Sequence, residues 1–572
     1  MEIKKILFLQ PPLEANYKHK RIMPLGIGYI LAVIRKNFPE IELRFLDMES
    51  SDTAIPEGIK IINEYSPDIF LVSYWTPMAD AAHEIMRVIR NENNKIKIIS
   101  GGTHPSIFPE EALKYSDIAV KFEGEITITE LIKALLTKSD LSKVAGISYL
   151  ENGKMIYTGD RDFVEELDSL PFPAWEFMPM ENYNTQMHAT GGKRMPVMCS
   201  RGCPYGCSYC VSPYFWKRKL RWRSYENVVD EIETIGIKLN IYKIHFWDDN
   251  LFINPDYIEK LCKEIIRRKL KIEWLGLTRA THIVKCEHLL SLMKSSGCIG
   301  MEMGIESADP HSHKTINKEE NLETTLHAAE LLKKNGMYPM FTYMCLNPGD
   351  SLNTYYNQAV FIDKILEGCG WIDFFHPLPV PLYIGQLCTP HPGTKLYEEA
   401  EKFGILNTSK WSDYYHHRVN FIPNTLLEDI PVKQTETLTY REILLCVKGM
   451  IASKYTFILS DYNIVKRIYI IGEYIKFVRK FYALSLGGYS LREMHKIISE
   501  SFSVSSDDIY NWLAVTSVIL AQIGYIQSKN NNQKFKIREI DISGFGNSLK
   551  LARKLHLIEI FHPLTSIIKK IC

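Results

Sequence analysis

The sequence predicts an α/β protein in three parts: an N-terminal doubly wound parallel sheet, a partial (βα)6 barrel, and a mostly helical C-terminal domain with a winged-helix-like segment. Three observations predict it. Strand-like runs alternate with helix-length runs over residues 1–145, and the alternation resumes over 191–395 after a linker at 146–190. Over 396–572 the pattern turns to helices with one late hairpin. A chain of 572 residues is also too long for a single hydrophobic core.

In the first part Ile3–Gln10 is an apolar strand, Gly26–Phe38 a helix, Ile41–Asp47 a strand and Ile55–Tyr65 a helix. Ile69–Tyr74 and Lys97–Ser100 read as strands, with a helix over Asp80–Arg90 between them. Such alternation packs as a parallel sheet with helices on both faces, and ligands of these sheets lie beyond the carboxyl ends of the strands. Here those ends are Gln10-Pro11-Pro12, Ser73-Tyr74-Trp75-Thr76 and Gly101-Gly102-Thr103-His104.

The linker contains Leu170-Pro171-Phe172-Pro173-Ala174-Trp175. Beyond it come strand Met195–Ser200, helix Tyr225–Lys238, strand Lys243–Trp247, helix Asp256–Arg268 and strand Ile272–Leu277. Helix Cys286–Ser296, strand Ile299–Ile305, helix Leu322–Asn335, strand Pro339–Cys345, helix Leu352–Gly368 and strand Ile372–Val380 follow. Six strand–helix repeats fit a partial barrel whose chemistry lies at the carboxyl ends of its strands.

The C-terminal part includes an amphipathic helix over Ile464–Val478, interrupted by Lys466, Arg467, Glu473 and Lys476. It reads as a packed helix rather than a membrane contact. Residues 485–540 read as a winged helix without a basic stripe, so a docking or lid module is expected there rather than DNA binding. The formal net charge of +1 gives no long-range attraction to nucleic acid or anionic lipid, and no apolar run reaches the ~18–20 residues of a spanning helix. No stable membrane insertion and no nucleic-acid partner are therefore expected. Twelve cysteines with no secretory leader at the start point to the reducing cytoplasm, where metal or redox work outranks disulfides.

The chemistry concentrates in Cys199-Ser-Arg-Gly-Cys203-Pro-Tyr-Gly-Cys207-Ser-Tyr-Cys210. Cys203, Cys207 and Cys210, at spacings of four and three, can wrap one loop around a cubane iron–sulfur cluster, for which thiolates are the usual ligands. Three ligands for four irons leave one iron open, where the amino and carboxylate groups of S-adenosylmethionine (SAM) can chelate. The alternative is structural zinc, which takes four ligands in two pairs; no second Cys-x-x-Cys pair exists in the chain. Cys199 falls outside the three-ligand spacing and reads as a packed thiol. Tyr209, between the last two ligands, can lie against the bound nucleoside.

This motif, placed after the first barrel strand, closely resembles the radical SAM superfamily over about Lys193 to Val380. The resemblance implies a 4Fe-4S cluster and SAM as cofactors. His245-Phe-Trp-Asp-Asp-Asn250 resembles a segment of the cobalamin-dependent branch that contacts the SAM amino group, making Asp248 and Asp249 candidates; capping of the next helix is their alternative. Arg279, ending the third strand, is a candidate for the SAM carboxylate, with a surface salt bridge as its alternative. Gly304-Ile-Glu306-Ser307 matches the family's Gly-x-Glu-Ser segment near the SAM ribose and methionine, and a buried hydrogen-bonded carboxylate is the alternative. Leu346-Asn347-Pro348-Gly349 departs from the family's Gly-x-Pro-Gly, which puts the adenine contact in doubt. Thr389-Pro-His391-Pro-Gly-Thr394 resembles the segment that closes these barrels.

The first part resembles the cobalamin-binding domain of the same subgroup. Pro24-Leu-Gly26-Ile-Gly28, Gly101-Gly102-Thr-His104 and Phe122-Glu123-Gly124-Glu125 carry the resemblance, with Ser73 and Tyr74 as lower-face neighbours. No Asp-x-His-x-x-Gly motif is present, so a base-off cobalamin is implied, with His104 a loop residue near the corrin.

Together these implications describe a cobalamin-dependent radical SAM methyltransferase acting on an unactivated carbon of a small-molecule substrate, reduced by a donor such as flavodoxin or ferredoxin. The same assembly without methyl transfer, as in magnesium-protoporphyrin monomethyl ester cyclases, is the competing expectation. A cobalamin or redox sensor is the non-enzymatic one. Catalytic acid–base residues and the substrate are not readable, and Tyr414, Tyr415, His416 and His417 read as a surface loop rather than a pocket wall.

Overall fold

A computed structural model of the chain describes residues 2–13, 23–183, 193–345, 347–350, 361, 382–406, 408, 410–414 and 421–424. The expected helix Leu352–Gly368, strand Ile372–Val380, helix Ile464–Val478, winged-helix segment 485–540 and residues Tyr415, His416 and His417 lie outside the described residues, Phe361 excepted.

The first sheet comprises β1 (Lys5–Gln10), β2 (Glu42–Asp47), β3 (Ile69–Ser73), β4 (Lys97–Gly101), β5 (Ile118–Val120), β6 (Ile147–Glu151) and β7 (Lys154–Tyr157), in the order 2-1-3-4-5-6-7. Strands β1–β5 pair in parallel, and β6 and β7 add antiparallel strands at the edge. That hairpin occupies the start of the stretch read as linker; its two short strands alternate too weakly to stand out from loop, and pairing with β5 supplies the missing partner.

Side chains of β1 alternate between two cores. Ile6 and Phe8 pack with the helices at 25–37 and 125–137, whereas Leu7 and Leu9 pack with those at 55–65 and 79–92. Both faces are thus covered, as the continuous apolar strands require. The strand order reverses between β1 and β3, which places a crevice at their carboxyl ends.

The second sheet contains β8 (Met195–Val197), β11 (Lys243–Phe246), β12 (Glu273–Thr278), β13 (Cys298–Glu306), β14 (Tyr338–Cys345) and β15 (Leu382–Leu387) in sequence order, all parallel. Between β8 and β11, the short β9 (Ser200–Arg201) and β10 (Arg221–Trp222) pair antiparallel and bracket the cysteine loop. Six parallel strands, with helices between the first five among the described residues, form the partial barrel. Helix starts are fixed by side-chain caps at Ser224, Asn254 and Asn321. The expected helix Cys286–Ser296 instead begins at Ala280 and breaks into three short turns, Ala280–Lys285, Glu287–Leu289 and Leu290–Ser295.

One core runs from Ile34 and Leu131 through Trp175 and Met178 to Met195, Ile244 and Trp274, joining the two sheets. In the third part the described residues show two one-turn helices, at 395–398 and 400–403, and an antiparallel pair, β16 (Gly404–Leu406) with β17 (Phe421–Pro423). No helix among the described residues is long and apolar enough to cross a membrane.

Candidate active site

The cysteine loop leaves β9 through Gly202, at φ +97°, where a Cβ would lie 2.1 Å from the Lys219 carbonyl oxygen; only glycine fits that turn. Cys203, Cys207 and Cys210 follow, all free and all partly accessible. Their sulfurs lie near enough to act on one another and on Asp249. The loop is anchored at both ends of its bend: the Ser208 amide donates to the Ile316 carbonyl at 2.9 Å, the Leu396 amide donates to the Ser208 carbonyl at 2.8 Å, and Asn317 Nδ2 donates to the Gly206 carbonyl at 2.7 Å.

Burial pushes the Cys210 thiol up to about 12, although the Ser212 amide donates to its sulfur at 3.4 Å, and burial likewise raises Cys203. Thiols held this high release their protons to a bound metal ion. Tyr209, Cys210 and Asp249 are closely surrounded by protein and yet keep accessible surface, so they line a hollow rather than fill a core. Three free sulfurs on one loop around a hollow suit an iron–sulfur cluster with an open coordination position. Cys199 is fully buried away from them, a packed thiol as expected.

Asp248 and Asp249, both expected to face SAM, part company. Asp248 is buried; its carboxylate accepts the Ser200 amide at 2.6 Å, the Ser200 hydroxyl at 2.5 Å and the Cys199 amide at 3.2 Å. It fixes the β8–β9 junction and has no face left for a ligand. Burial raises it to about 6 against those hydrogen bonds. Asp249, in the bend that follows β11, is exposed and close enough for its charge to act on Cys203 and Cys210.

Arg279 is likewise redirected. Its Nε donates to Glu320 Oε2 at 2.9 Å, and its guanidinium lies over the Tyr205 ring at 4.0 Å. The partner is a buried acid, neither a ligand nor a surface charge; burial opposes the guanidinium charge, and Glu320 outweighs it. Beyond Tyr205, whose hydroxyl pairs with His282 Nε2 at 2.9 Å, His282 Nδ1 meets Asn250 Oδ1 at 3.1 Å.

Glu306, ending β13 at φ +62°, directs its carboxylate to Tyr209: the phenol donates to Oε1 at 3.0 Å, and Lys318 Nζ donates to the same oxygen at 3.2 Å. The neighbouring Asn347 supports this turn, donating from Nδ2 to the Glu306 carbonyl at 3.2 Å. Ser307 is buried, and its hydroxyl accepts the Asp309 amide at 3.2 Å.

At the carboxyl edge of the first sheet, Pro24 precedes the helix at 25–37, and at Gly26 in its first turn no other element among the described residues comes within 4 Å of the point a Cβ would occupy. Gly101 is nearly as open. Gly102, at φ +97°, places a Cβ 2.6 Å from the Tyr74 carbonyl oxygen and 3.1 Å from Ser73 Oγ, so β3 and β4 close tightly there. Uncovered backbone along a crevice rim suits a flat corrin.

The side chains of Tyr74 and His104 do not join that rim. Tyr74 is buried with its hydroxyl on His83 Nε2 at 3.1 Å, and His104 is fully buried with Nδ1 at 3.3 Å from Thr76 Oγ1. Glu123 and Glu125 also turn away from the expected cofactor: Glu123 pairs with Arg201 at 2.6 Å and Arg221 at 2.8 Å, and Glu125 with Arg201 at 2.7 Å. Burial opposes the charge on Glu123, but the two guanidinium groups outweigh it and lower its pKa. Nitrogens of Arg221 that lack hydrogen-bond partners among the described residues belong to a guanidinium whose carbon lies 4.7 Å from the Phe163 ring and 5.4 Å from the Trp216 ring. Gly124 remains at the edge, between the two acids, with Ile30 3.0 Å from its Cβ position.

Residues 19–132 match the B12 binding domain family, and residues 197–356 match the Radical SAM superfamily. The chain belongs to the cobalamin-dependent radical SAM family. It is an enzyme of that family, whose cofactors are a 4Fe-4S cluster, SAM and cobalamin. It is 28% identical over 422 residues to an uncharacterized methyltransferase of Pyrococcus horikoshii, covering 72% of this chain and 87% of the relative. An anaerobic magnesium-protoporphyrin IX monomethyl ester cyclase of Rubrivivax gelatinosus is 30% identical over 322 residues, covering 55% of this chain and 57% of the relative. The solved cobalamin-dependent radical SAM enzyme OxsB shares the fold, with a TM-score of 0.63 at 19% identity, covering 97% of this chain and 84% of OxsB.

Several site residues escape a sequence reading of this radical SAM chain. Lys318 and Glu320 lie between elements with no motif around them, and Arg201 stands inside the cysteine motif without a role in it. Asp248 carried no such signal in the sequence either; the alternation of burial over Phe246, Asp248 and Asn250 against Trp247 and Asp249 emerges only in the structure.

Proposed function

We propose that the enzyme transfers a methyl group to an unactivated carbon of a small-molecule substrate. The observation that carries this reading is the pairing of Arg201, two residues before Cys203, with Glu123 and Glu125 at the carboxyl edge of the first sheet. It holds the cysteine loop against the carboxyl edge of the first sheet, which supports the reading because a methyl donor and a radical generator must share one substrate. The methyltransferase of Pyrococcus horikoshii, alike over most of both chains, supports the same reading.

In this reading Cys203, Cys207 and Cys210 hold the cluster, and Gly26, Gly101 and Gly102 give the corrin room. When bound, the cluster splits SAM by one-electron transfer, and cobalamin carries the methyl group. The protein's own part is placement. Asp249 would meet the SAM amino group, and Tyr209, fixed by Glu306, would lie along the nucleoside. Lys318 neutralises Glu306, and Ser307 holds the turn behind it. Tyr205 covers Arg279. A small acidic electron carrier of the flavodoxin or ferredoxin kind is the expected reductant, and the reducing cytoplasm the expected setting.

The likeness to the cyclase of Rubrivivax gelatinosus favours a second reading, ring formation without methyl gain. Anaerobic turnover under strong reductant separates the two. Methylation yields 5′-deoxyadenosine, S-adenosylhomocysteine and a product heavier by one methyl; cyclisation yields 5′-deoxyadenosine alone. Reduced protein that holds four irons and leaves SAM intact defeats both.

A further inference from the structure

Next to Tyr74, apart from the cysteine loop, lies a second cluster of metal-ligating side chains. His83 comes from the helix at 79–92, His104 from the turn after β4, and Glu111 from the short helix at 109–112. One ligand atom from each lies within 4.8 Å of the other two. His83 Nδ1 is 3.8 Å from Glu111 Oε1, and His104 Nε2 is 3.6 Å from Glu111 Oε2, each beyond hydrogen-bond range.

The outer nitrogen of each histidine and one oxygen of the Glu111 carboxylate are held by neighbouring groups. Tyr74 OH meets His83 Nε2 at 3.1 Å, Thr76 Oγ1 meets His104 Nδ1 at 3.3 Å, and Trp411 Nε1 donates to Glu111 Oε1 at 2.8 Å. Stacking of His83 on Tyr115, 4.3 Å between centroids, locks its ring. Outer groups that hold one nitrogen of a histidine and aim the other at a shared point are the hallmark of a metal site. Among the described residues the inner nitrogen of His104 has no partner within 3.5 Å, the Glu111 carboxylate lying at 3.6 Å, although the residue is fully buried. An orphaned buried imidazole nitrogen carries a desolvation cost that a coordinate bond removes.

The geometry points to a divalent metal site formed by His83 Nδ1, His104 Nε2 and the Glu111 carboxylate, separate from the cluster cysteines and the cobalamin crevice. Two imidazoles and one carboxylate suit zinc, with a fourth position left for water. The ion would pin the turn after β4 to the helix at 79–92. Through Trp411 it would also bind the segment beyond the barrel to the first sheet.

The test uses the full chain with its cluster reconstituted anaerobically and cobalamin bound, equilibrated with zinc sulfate and passed through a desalting column. About one zinc per chain is expected in addition to iron and cobalt. His83→Ala and Glu111→Gln should each lower the retained zinc at least tenfold while iron and cobalamin stay bound; retention of cobalamin shows that the variants are folded. Glu111→Gln serves where His83→Ala fails to fold, since the amide oxygen still accepts from Trp411. The triple variant Cys203→Ala, Cys207→Ala, Cys210→Ala should keep its zinc. Wild-type protein that retains none, folded variants that retain all of it, or zinc that disappears with the cysteines would each overturn the site. So would nitrogen hyperfine coupling on the cobalt of bound cob(II)alamin that vanishes in His104→Ala, because His104 would then belong to the cobalt.

Discussion

The phenol of Tyr209 donates to Glu306 Oε1 at 3.0 Å, tying the residue between the last two cluster cysteines to the end of β13, 97 positions away. Burial, and then the Glu306 charge, hold the phenol well above its ordinary pKa, so the bond is a neutral donor on an anion. Glu306→Gln removes the charge and keeps the shape. A charge-assisted hydrogen bond contributes about 1.5–3 kcal/mol, so SAM affinity should weaken roughly tenfold or more with iron content unchanged. Equilibrium dialysis of SAM against reconstituted protein measures this. Unchanged affinity would remove Glu306 from the SAM site.

Single alanine variants of Cys203, Cys207 and Cys210 should each lose most cluster iron and all SAM cleavage. Cys199→Ala should keep both, because that thiol is buried beside Asp248 and away from the hollow. Iron and sulfide analysis after anaerobic reconstitution is the check; iron loss in Cys199→Ala would make it a fourth ligand.

Breaking the joint between the sheets should cost stability. Arg201→Ala leaves Glu123 and Glu125 buried with only Arg221 near. Removing one partner of a buried ion pair destabilises by about 3–5 kcal/mol. Urea unfolding followed by circular dichroism should show that loss. A shift below about 1 kcal/mol would mean that water enters the joint.

Gly102→Ala forces a side chain into φ +97° and to 2.6 Å from the Tyr74 carbonyl oxygen. Strain of this kind costs about 1–3 kcal/mol, and the crevice should widen at the β3–β4 edge. Cobalamin occupancy, read from its visible spectrum after gel filtration, should fall severalfold. Full occupancy would place the corrin elsewhere on the edge.

Acid should weaken the barrel through His282. Burial, then Lys285 and Arg279, lower its pKa to about 4, while its ring nitrogens meet Tyr205 and Asn250. The folded chain keeps this imidazole neutral, and the unfolded chain protonates it near its ordinary value. Its contribution is therefore complete above about pH 6.5 and is lost as pH falls toward 4. His282→Gln should flatten the drop in the unfolding midpoint between pH 7 and 5. An equally steep drop in the variant would assign the acid lability to other groups.

What could be read in the sequence was local. The cysteine loop, the strand ends and the helix at 55–65 each carry their signal within a few residues, through thiol spacing, glycine at a forced turn, or apolar periodicity. What could not be read depends on distant partners. Glu123 looks like a rim residue until Arg201, 78 positions on, is folded against it, and Arg279 looks open until Glu320 is placed beside it. Asp248 and Asp249 show the boundary between the two cases. Their identical chemistry hides opposite burial, which emerges only in the folded chain.

The pairing at Arg201 also constrains how this architecture can be recombined. A chimera that grafts a foreign corrin-binding half onto this barrel would inherit two arginines without their acids, and the reciprocal graft two acids without their arginines. Either product would carry unmatched ions in a dry seam. Compensating charge changes at these four positions are what any successful exchange of halves would need first.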